Sequence, residues 1–316
     1  MTLRLLERIA VLLASLAVSS ILVFAFMAVL PGDPARVALG VNASDQSVAS
    51  LRGEFGLDRP LVSQYLSWVG GLFRLDLGES YISRAPIGPQ VADRLQVSLW
   101  LVLTSMVIAV VIAVPIGSLM AVWHRRILGT VLSAVSQVGV AIPAFLAGIL
   151  LITVFAVKLG WLPANGWTPP AQDPVLFLKQ LVLPALSLGL VQAAVLTRYV
   201  RSSVLDVLRE DYLRTARAKG LRPMPALLRH GLRNASVPVV TVLGLQLATL
   251  LIGAVVVERV FVIPGLGSLL LDAVSSRDLI IVQDVVMVLV VAVLLVNFVV
   301  DLLYVAIDPR MRAGAR

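Results

Sequence analysis

His124 and His230 are the only histidines in the chain, and each stands beside arginine in a basic stretch. A metal centre needs several converging donors, and two isolated imidazoles do not supply them. Cysteine is absent, which removes disulfides, thiolate metal sites and cysteine nucleophiles together. The three lysines, Lys158, Lys179 and Lys219, follow Val157, Leu178 and Ala218, whereas a phosphate-cradling loop requires Gly-Lys and then Ser or Thr. Neither His-Glu-x-x-His nor Gly-x-Ser-x-Gly occurs, so hydrolysis by zinc or by an activated serine lacks its residues. The sequence offers no catalytic, cofactor-binding or metal-binding set of its own.

The remaining residues explain why. The chain is 59% hydrophobic and 14% charged over 316 residues, against about 45–50% apolar and about 25% charged in a soluble domain. The excess apolar surface must face lipid. A span needs about 20 predominantly apolar residues, and six segments qualify: Ile9–Leu30, Val97–Val122, Val131–Val157, Gln180–Thr197, Ser236–Val257 and Leu279–Tyr304. The fourth is the shortest and contains Pro184 and Gly189. The first follows Arg4 and Arg8, but its apolar run exceeds the roughly 7–15 residues of a signal-peptide core and reads as an uncleaved helix.

The net charge of +8 reports topology rather than nucleic-acid binding, because the basic residues fall in short segments between apolar runs. Arginine and lysine are retained on the cytoplasmic side. His124, Arg125 and Arg126 follow the second span; Arg198, Arg201, Arg209, Arg214, Arg217, Lys219, Arg222, Arg229 and Arg233 follow the fourth; Arg310, Arg312 and Arg316 form the tail. The alternate connections, Lys158–Lys179 and Glu258–Asp278, are sparse in cations. This pattern predicts an all-α membrane protein with six spans and both termini in the cytoplasm. Three parts follow: residues 1–30 as the first span, 31–96 as an external segment, and 97–316 as a five-helix core with a cytoplasmic loop at about 198–235. In the external segment Val48, Leu51 and Phe55, then Leu61, Tyr65, Leu66 and Val69, recur at helical spacing and predict two amphipathic helices.

A carrier driven by an ion gradient keeps ionisable groups at membrane depth. Spans two to five hold none, and Asp284 and Asp301 fall near the two ends of the sixth. Gln192, Gln246 and Asn297 are uncharged polar groups within spans, suited to bonding across helices. Trp100, Trp123, Trp161 and Trp167 lie at span ends, where amphipathic rings prefer the interface. A self-contained carrier or channel is the alternative to a conduit worked by a partner.

The loop that could receive such work is the segment after span four. Leu205, Leu208, Tyr212, Ala216 and Lys219 follow steps of three and four and predict one helix face. Arg214, Arg217 and Lys219 complement the negative end of that helix, Gly220 supplies a left-handed cap, Leu221 packs back and Pro223 stops continuation. From the residues alone, the apolar face could lie on the membrane surface or against a partner.

The run Asp211-Tyr-Leu-Arg-Thr-Ala-Arg-Ala-Lys-Gly-Leu221 resembles the coupling-loop signature of the dipeptide, oligopeptide and nickel class of ABC importer permeases. Four more stretches agree in order: Leu30-Pro-Gly-Asp-Pro34, Phe55-Gly-Leu-Asp-Arg-Pro-Leu61, Glu258-Arg-Val-Phe-Val-Ile-Pro-Gly-Leu-Gly267 and Asp301-Leu-Leu-Tyr-Val-Ala-Ile-Asp-Pro-Arg310. The long segment after span one resembles the B-type subunit. The resemblance implies the type I ABC importer permease fold in a bacterial or archaeal cytoplasmic (inner) membrane. It implies a second homologous permease, two ATPase subunits that carry ATP and Mg, and an external substrate-binding protein, with no cofactor on this chain. It puts Asp211, Tyr212, Arg214, Thr215, Ala216, Arg217, Lys219, Gly220 and Leu221 in the ATPase-coupling loop. Arg214, Thr215 and Ala216 take the Glu-Ala-Ala positions of the general importer loop, so a glutamate-mediated contact is impossible here. Pro31, Gly32, Asp33 and Pro34, with Glu258, Pro264, Gly265 and Gly267, are candidates for an outer gate; rigid turns explain the same residues.

The absence of native cysteine makes the topology directly testable. Single cysteines at Ser47, Thr168 and Ser276 are expected to react with an impermeant thiol reagent in intact cells, and one at Thr215 to stay unlabelled. The opposite pattern inverts the topology.

Overall fold

The computed structural model describes residues 2–40 and 42–307; Arg310, Arg312, Arg316 and the end of the Asp301–Arg310 motif lie outside them. Every regular element among the described residues is helical, apart from one isolated bridge between Glu79 and Pro86. Hydrocarbon cannot hydrogen-bond a free peptide group, so a spanning segment satisfies its own backbone as a helix. Five helices are long and apolar enough to span: α1 (Thr2–Val29), α5 (Ile87–Val122), α8 (Pro174–Leu208), α11 (Leu232–Val260) and α13 (Leu279–Ile307). The count reaches six when α6 (Ile127–Ala141) and α7 (Ala144–Leu151, continued by a π-helical segment Ile152–Lys158) are taken as one broken span.

That broken span departs from the single helix expected over Val131–Val157, since its halves meet at 99°. Pro143 has no N–H to donate, and Ile142 before it takes an extended ψ of 121°, as a residue preceding proline prefers. The fourth span departs in the other direction and runs 35 residues. Asp173 caps its start by accepting from the N–H groups of Val175 and Leu176, and Pro184 sits inside it. Pro184 and the arginines at Arg198 and Arg201 look like ends in the sequence, yet the helix continues through all three.

The described chain divides into two compact units. The first comprises residues 1–98 and 264–295. Here Asp33 accepts from the N–H of Ala35 to start α2 (Pro34–Leu39), and its other oxygen holds Arg52 at 3.0 Å. The guanidinium of Arg52 is pushed above its ordinary value by hydrogen bonds to Asp58 and Asp33. Val48 and Leu51 of α3 (Asp45–Glu54) are buried against Ala35, with Phe55 packed beside them, as their spacing predicts. On α4 (Leu61–Phe73), Leu61 and Leu66 are exposed, while Tyr65 bonds the hydroxyl of Ser20 at 2.9 Å and packs edge-on against Phe24 and tilted against Trp68. An element absent from the sequence reading is α12 (Leu266–Ser276), inside what was expected to be a connection from Glu258 to Asp278. It is too short to span, but Leu266, Leu269 and Ala273 follow helical steps and are buried with Ile87, Val91 and Val285.

The second unit comprises residues 99–263 and 296–316, and α8 is its axis, with α6, α7 and α11 packed on it. The side-chain amide of Gln246 donates to Gln192 across α8 and α11 at 2.7 Å, the cross-helix bond their placement in spans predicts. Close approach depends on small residues. A Cβ on Gly189 would stand 2.9 Å from Ile108 and 3.0 Å from the carbonyl of Ser105, and one on Gly244 would stand 2.6 Å from Val300. Gly189→Leu therefore forces α8 off α5. Overpacking of this kind costs about 1–3 kcal/mol, and a lowered midpoint in detergent melts of the purified permease is the expected result. An unchanged midpoint contradicts the packing.

Candidate coupling helix and buried acidic site

The helix expected to run unbroken from Leu205 to Lys219 is two helices. α8 ends at Leu208, Arg209 and Glu210 turn, and α9 occupies Asp211–Ala218. The charge order explains the break. Arg209 stands at the negative end of α8, while Glu210 and Asp211 stand at the positive start of α9, and each arrangement is the favourable one. The carbonyl of Glu210 accepts from Leu213 and Arg214 and so begins the new helix.

The buried face differs accordingly from the one the sequence predicts. Leu205 and Leu208 belong to the last turn of α8, and Lys219 lies past the end of α9 and is exposed. The side chain of α9 that is fully buried is Leu213, at 0% exposure, among Val204, Val207, Ala226 and Leu227. Ala216, Leu205 and Leu208 pack on the same cluster, so the expected apolar residues converge after all, from two helices instead of one. Gly231 lets them close in, since a Cβ there would stand 3.0 Å from Leu227 and Val207 and 3.2 Å from Leu213.

What α9 leaves outside is mostly polar. Tyr212 is 39% exposed, and its hydroxyl accepts from the Asn234 amide on α11 at 2.9 Å. Arg214 pairs with Asp211 at 3.5 Å on the surface, and the Thr215 hydroxyl donates to the Asp211 carbonyl at 3.0 Å. The side chain of Arg217 lies outside the described residues. The helix stops as expected. Gly220 has φ +96°, the Leu221 N–H reaches back to the Ala216 carbonyl at 3.3 Å, and the Leu221 side chain rejoins the core. This is the six-to-one bond that closes a helix through a left-handed residue. Pro223 then opens the short helix α10 (Pro223–Ala226), continued by a π turn Leu227–Gly231.

The outer residues of the first unit do not line one cavity. In the first unit Gly32, Asp33 and Pro34 help line a cavity of about 550 Å³, whereas Pro264, Gly265 and Gly267 lead into α12 and lie outside that lining. Gly265 is extended, Gly267 is buried, and the N–H of Leu266 donates to the Ser98 hydroxyl at 2.8 Å. In the second unit Glu258 is buried, and its carbonyl accepts from Ile263 at 2.8 Å.

Sequence reasoning missed a pair of carboxylates in the first unit. Asp284 lies near the start of α13, as its place in the sixth span predicts, but it is 0% exposed, and the Trp68 indole N–H donates to its Oδ1 at 2.7 Å. Asp278 is also buried and accepts from the Ser80 hydroxyl and the Tyr81 N–H. Burial pushes the Tyr81 hydroxyl up to about 12, with the charges of Asp284 and Asp278 adding to it. The signal was available: a carboxylate inside an apolar run marks function by default.

Comparison with known proteins decides the family. Residues 113–313 match the model for the binding-protein-dependent transport system inner membrane component, and residues 1–102 match that of its N-terminal part. The chain belongs to this family. It is 43% identical over 309 residues to the glutathione transport system permease protein GsiC of Escherichia coli (strain K12), covering 97% of each chain. The GsiC of Salmonella choleraesuis (strain SC-B67) is 43% identical over 310 residues, covering 97% of this chain and 98% of that one. A solved inward-facing structure of the MetNI methionine ABC transporter shares the fold, with a TM-score of 0.57 at 20% identity over 69% of this chain and 96% of that one. The protein is thus a transmembrane permease of an ABC importer in the bacterial inner membrane, from a permease family rather than an enzyme family. The self-contained carrier or channel falls away.

Leu213 is the seat of α9 in this permease. Leu213→Ala leaves a cavity worth about 2–5 kcal/mol, charged mainly to the local structure because no span changes. Hydrogen exchange is expected to speed up over residues 211–221 while α8 and α11 keep their protection. Unchanged exchange in α9 contradicts the seating.

Proposed function

We propose that this permease is the B-type subunit of an importer for short peptides, glutathione-like tripeptides included. It forms the path with a second homologous permease and receives its solute from an external binding protein. Two ATPase subunits holding ATP and Mg dock on its cytoplasmic loop. The observation that carries the docking is the short capped helix α9, held to the core by Leu213 with Tyr212, Arg214, Thr215 and Lys219 facing outward. The relatives' printed substrate, glutathione, and the motifs of the peptide class support the choice of solute.

In this reading hydrolysis belongs to the partners, because no phosphate-binding Gly-Lys-Ser/Thr loop exists on this chain. Closure of the ATPase pair moves α9, and the spans rock to open the path outward and then inward. Asp211, Tyr212, Arg214, Thr215, Ala216, Arg217, Lys219, Gly220 and Leu221 make the docking surface or hold its shape. Pro31–Pro34 and Pro264–Gly267, with Glu258, act at the outer mouth. Residues 31–96 form an external segment, and the five-helix core begins near residue 97.

Gly220 tests the docking without touching solute. A left-handed residue costs an ordinary side chain roughly 1–2 kcal/mol, and a β-branched one more. A Cβ there meets nothing within 4 Å, so strain and not collision is what Gly220→Val introduces. Normal abundance, weakened ATPase co-purification and lost peptide uptake are expected, with Gly220→Ala milder. Wild-type uptake and co-purification in Gly220→Val sink the capped-helix model.

A further inference from the structure

The buried carboxylates of the first unit lack a counter-charge. Among the described residues no ion pair engages Asp278 or Asp284. Asp284 Oδ1 takes the Trp68 indole, but Oδ2 is buried with no hydrogen-bond partner. A carboxylate can accept about four hydrogen bonds, and leaving one oxygen of a buried acid bare is costly. A group so placed calls for a cation or a proton.

The cavity of about 550 Å³ lies one side chain away. Trp68, which bonds Asp284, lines it; so does Gln283, the neighbouring residue; so does Tyr81, whose N–H bonds Asp278. Its volume falls in the roughly 300–1,000 Å³ range of small-ligand sites. Aromatic faces attract ammonium groups, and the Tyr81 hydroxyl and Gln283 amide oxygen can accept from one. Arg59 lines the same cavity and forms no ion pair among the described residues, which suits a carboxylate at the other end of the ligand.

We propose that this cavity holds a short peptide and that Asp284, reached by displacing the Trp68 indole, receives the peptide's primary ammonium group. The proposal rests on the peptide reading above. An ammonium carries three N–H donors, enough for Oδ2 and for two further acceptors in the wall. The site selects a free amino terminus, a demand that an acetylated peptide fails twice: it has no charge for Asp284 and adds bulk where the ammonium takes the place of the indole.

The test uses the full complex in nanodiscs without its binding protein, with radiolabelled trialanine and N-acetyl-trialanine in equilibrium dialysis. Asp284→Asn keeps an acceptor for Trp68 while removing the charge. Trialanine binding is expected to weaken at least tenfold in that variant and to be at least tenfold stronger than N-acetyl-trialanine binding in the parent, with Asp45→Asn unchanged. Should Asp284→Asn fail to fold, the comparison of the two peptides on the parent decides. Equal binding of the two peptides, parent-like binding by a folded Asp284→Asn, or dependence on pH but not on the amine overturns the proposal; the last outcome assigns a proton to Oδ2. Uptake of trialanine by proteoliposomes supplied with the binding protein separates the two claims. Import that ignores Asp284 removes the site and leaves the peptide reading; trialanine binding without any import does the reverse.

Discussion

Hydrocarbon offers no partner to a peptide N–H or C=O, so each span must satisfy its backbone internally. The long helices and the places where they fail both follow from that demand. Pro143 cannot donate, and there the chain turns through 99° instead of continuing. Pro184 and Pro238 are absorbed within α8 and α11. Side-chain hydroxyls add second bonds to helical carbonyls, Ser105 to Leu101 at 2.6 Å and Thr197 to Ala193 at 2.6 Å, which hides their polarity without asking for a partner helix. With backbone bonding closed within each helix, association has to rest on shape. Gly189 against Ile108 and Gly244 against Val300 supply it, and a few side-chain bonds add to it between α8 and α11, Gln246 to Gln192 and the Ser203 hydroxyl to the Ala235 carbonyl at 2.7 Å.

The same demand sorts chemistry to the ends of spans. Between α8 and α11 the chain is free of lipid and can afford a turn, and the charges Arg209, Glu210 and Asp211 are arranged to make one. A single leucine then decides what the loop is. With Leu213 in the core, Tyr212, Arg214 and Thr215 are left available to water or to a partner; a polar residue at 213 would leave the helix held by Ala216, its two chain ends and the Tyr212–Asn234 bond. In the first unit the polarity runs inward instead, to Asp278 and Asp284.

Much of this is legible in the residues themselves. Apolar runs gave the number of spans within one, and the Gly220–Leu221–Pro223 stop gave the helix end, because capping is local and its residues are few. Helix starts were harder. The break at Arg209–Glu210 turns on charge order over three residues, while the 3.6 period reads straight across it from Leu208 to Tyr212. The short helix α12 escaped because a hydropathy window long enough for a span averages it into its loop. Asp284 lies near a span end as its sequence position indicates, but that position says nothing of α4, whose Trp68 covers it from 216 residues away. Burial by a distant element has no local signature, and that is where reading from sequence stops.

Under the proposed docking, a conduit driven by a partner needs a seated and capped α9 for one thermodynamic reason. A partner shifts an equilibrium between conformations only by binding them unequally, and that difference reaches the path only if the docked element cannot relax on its own. A helix of eight residues is marginal in water by itself, so α9 taken alone would absorb the work by fraying. Leu213, the Gly220 cap and the Tyr212–Asn234 bond convert it into an extension of α8 and α11. The coupling is reciprocal in binding free energy. In the proposed reading, solute or binding protein acting on the path therefore changes the affinity of the α9 loop for its motor, and rigidity of the α9 seat sets how much of that change is passed on.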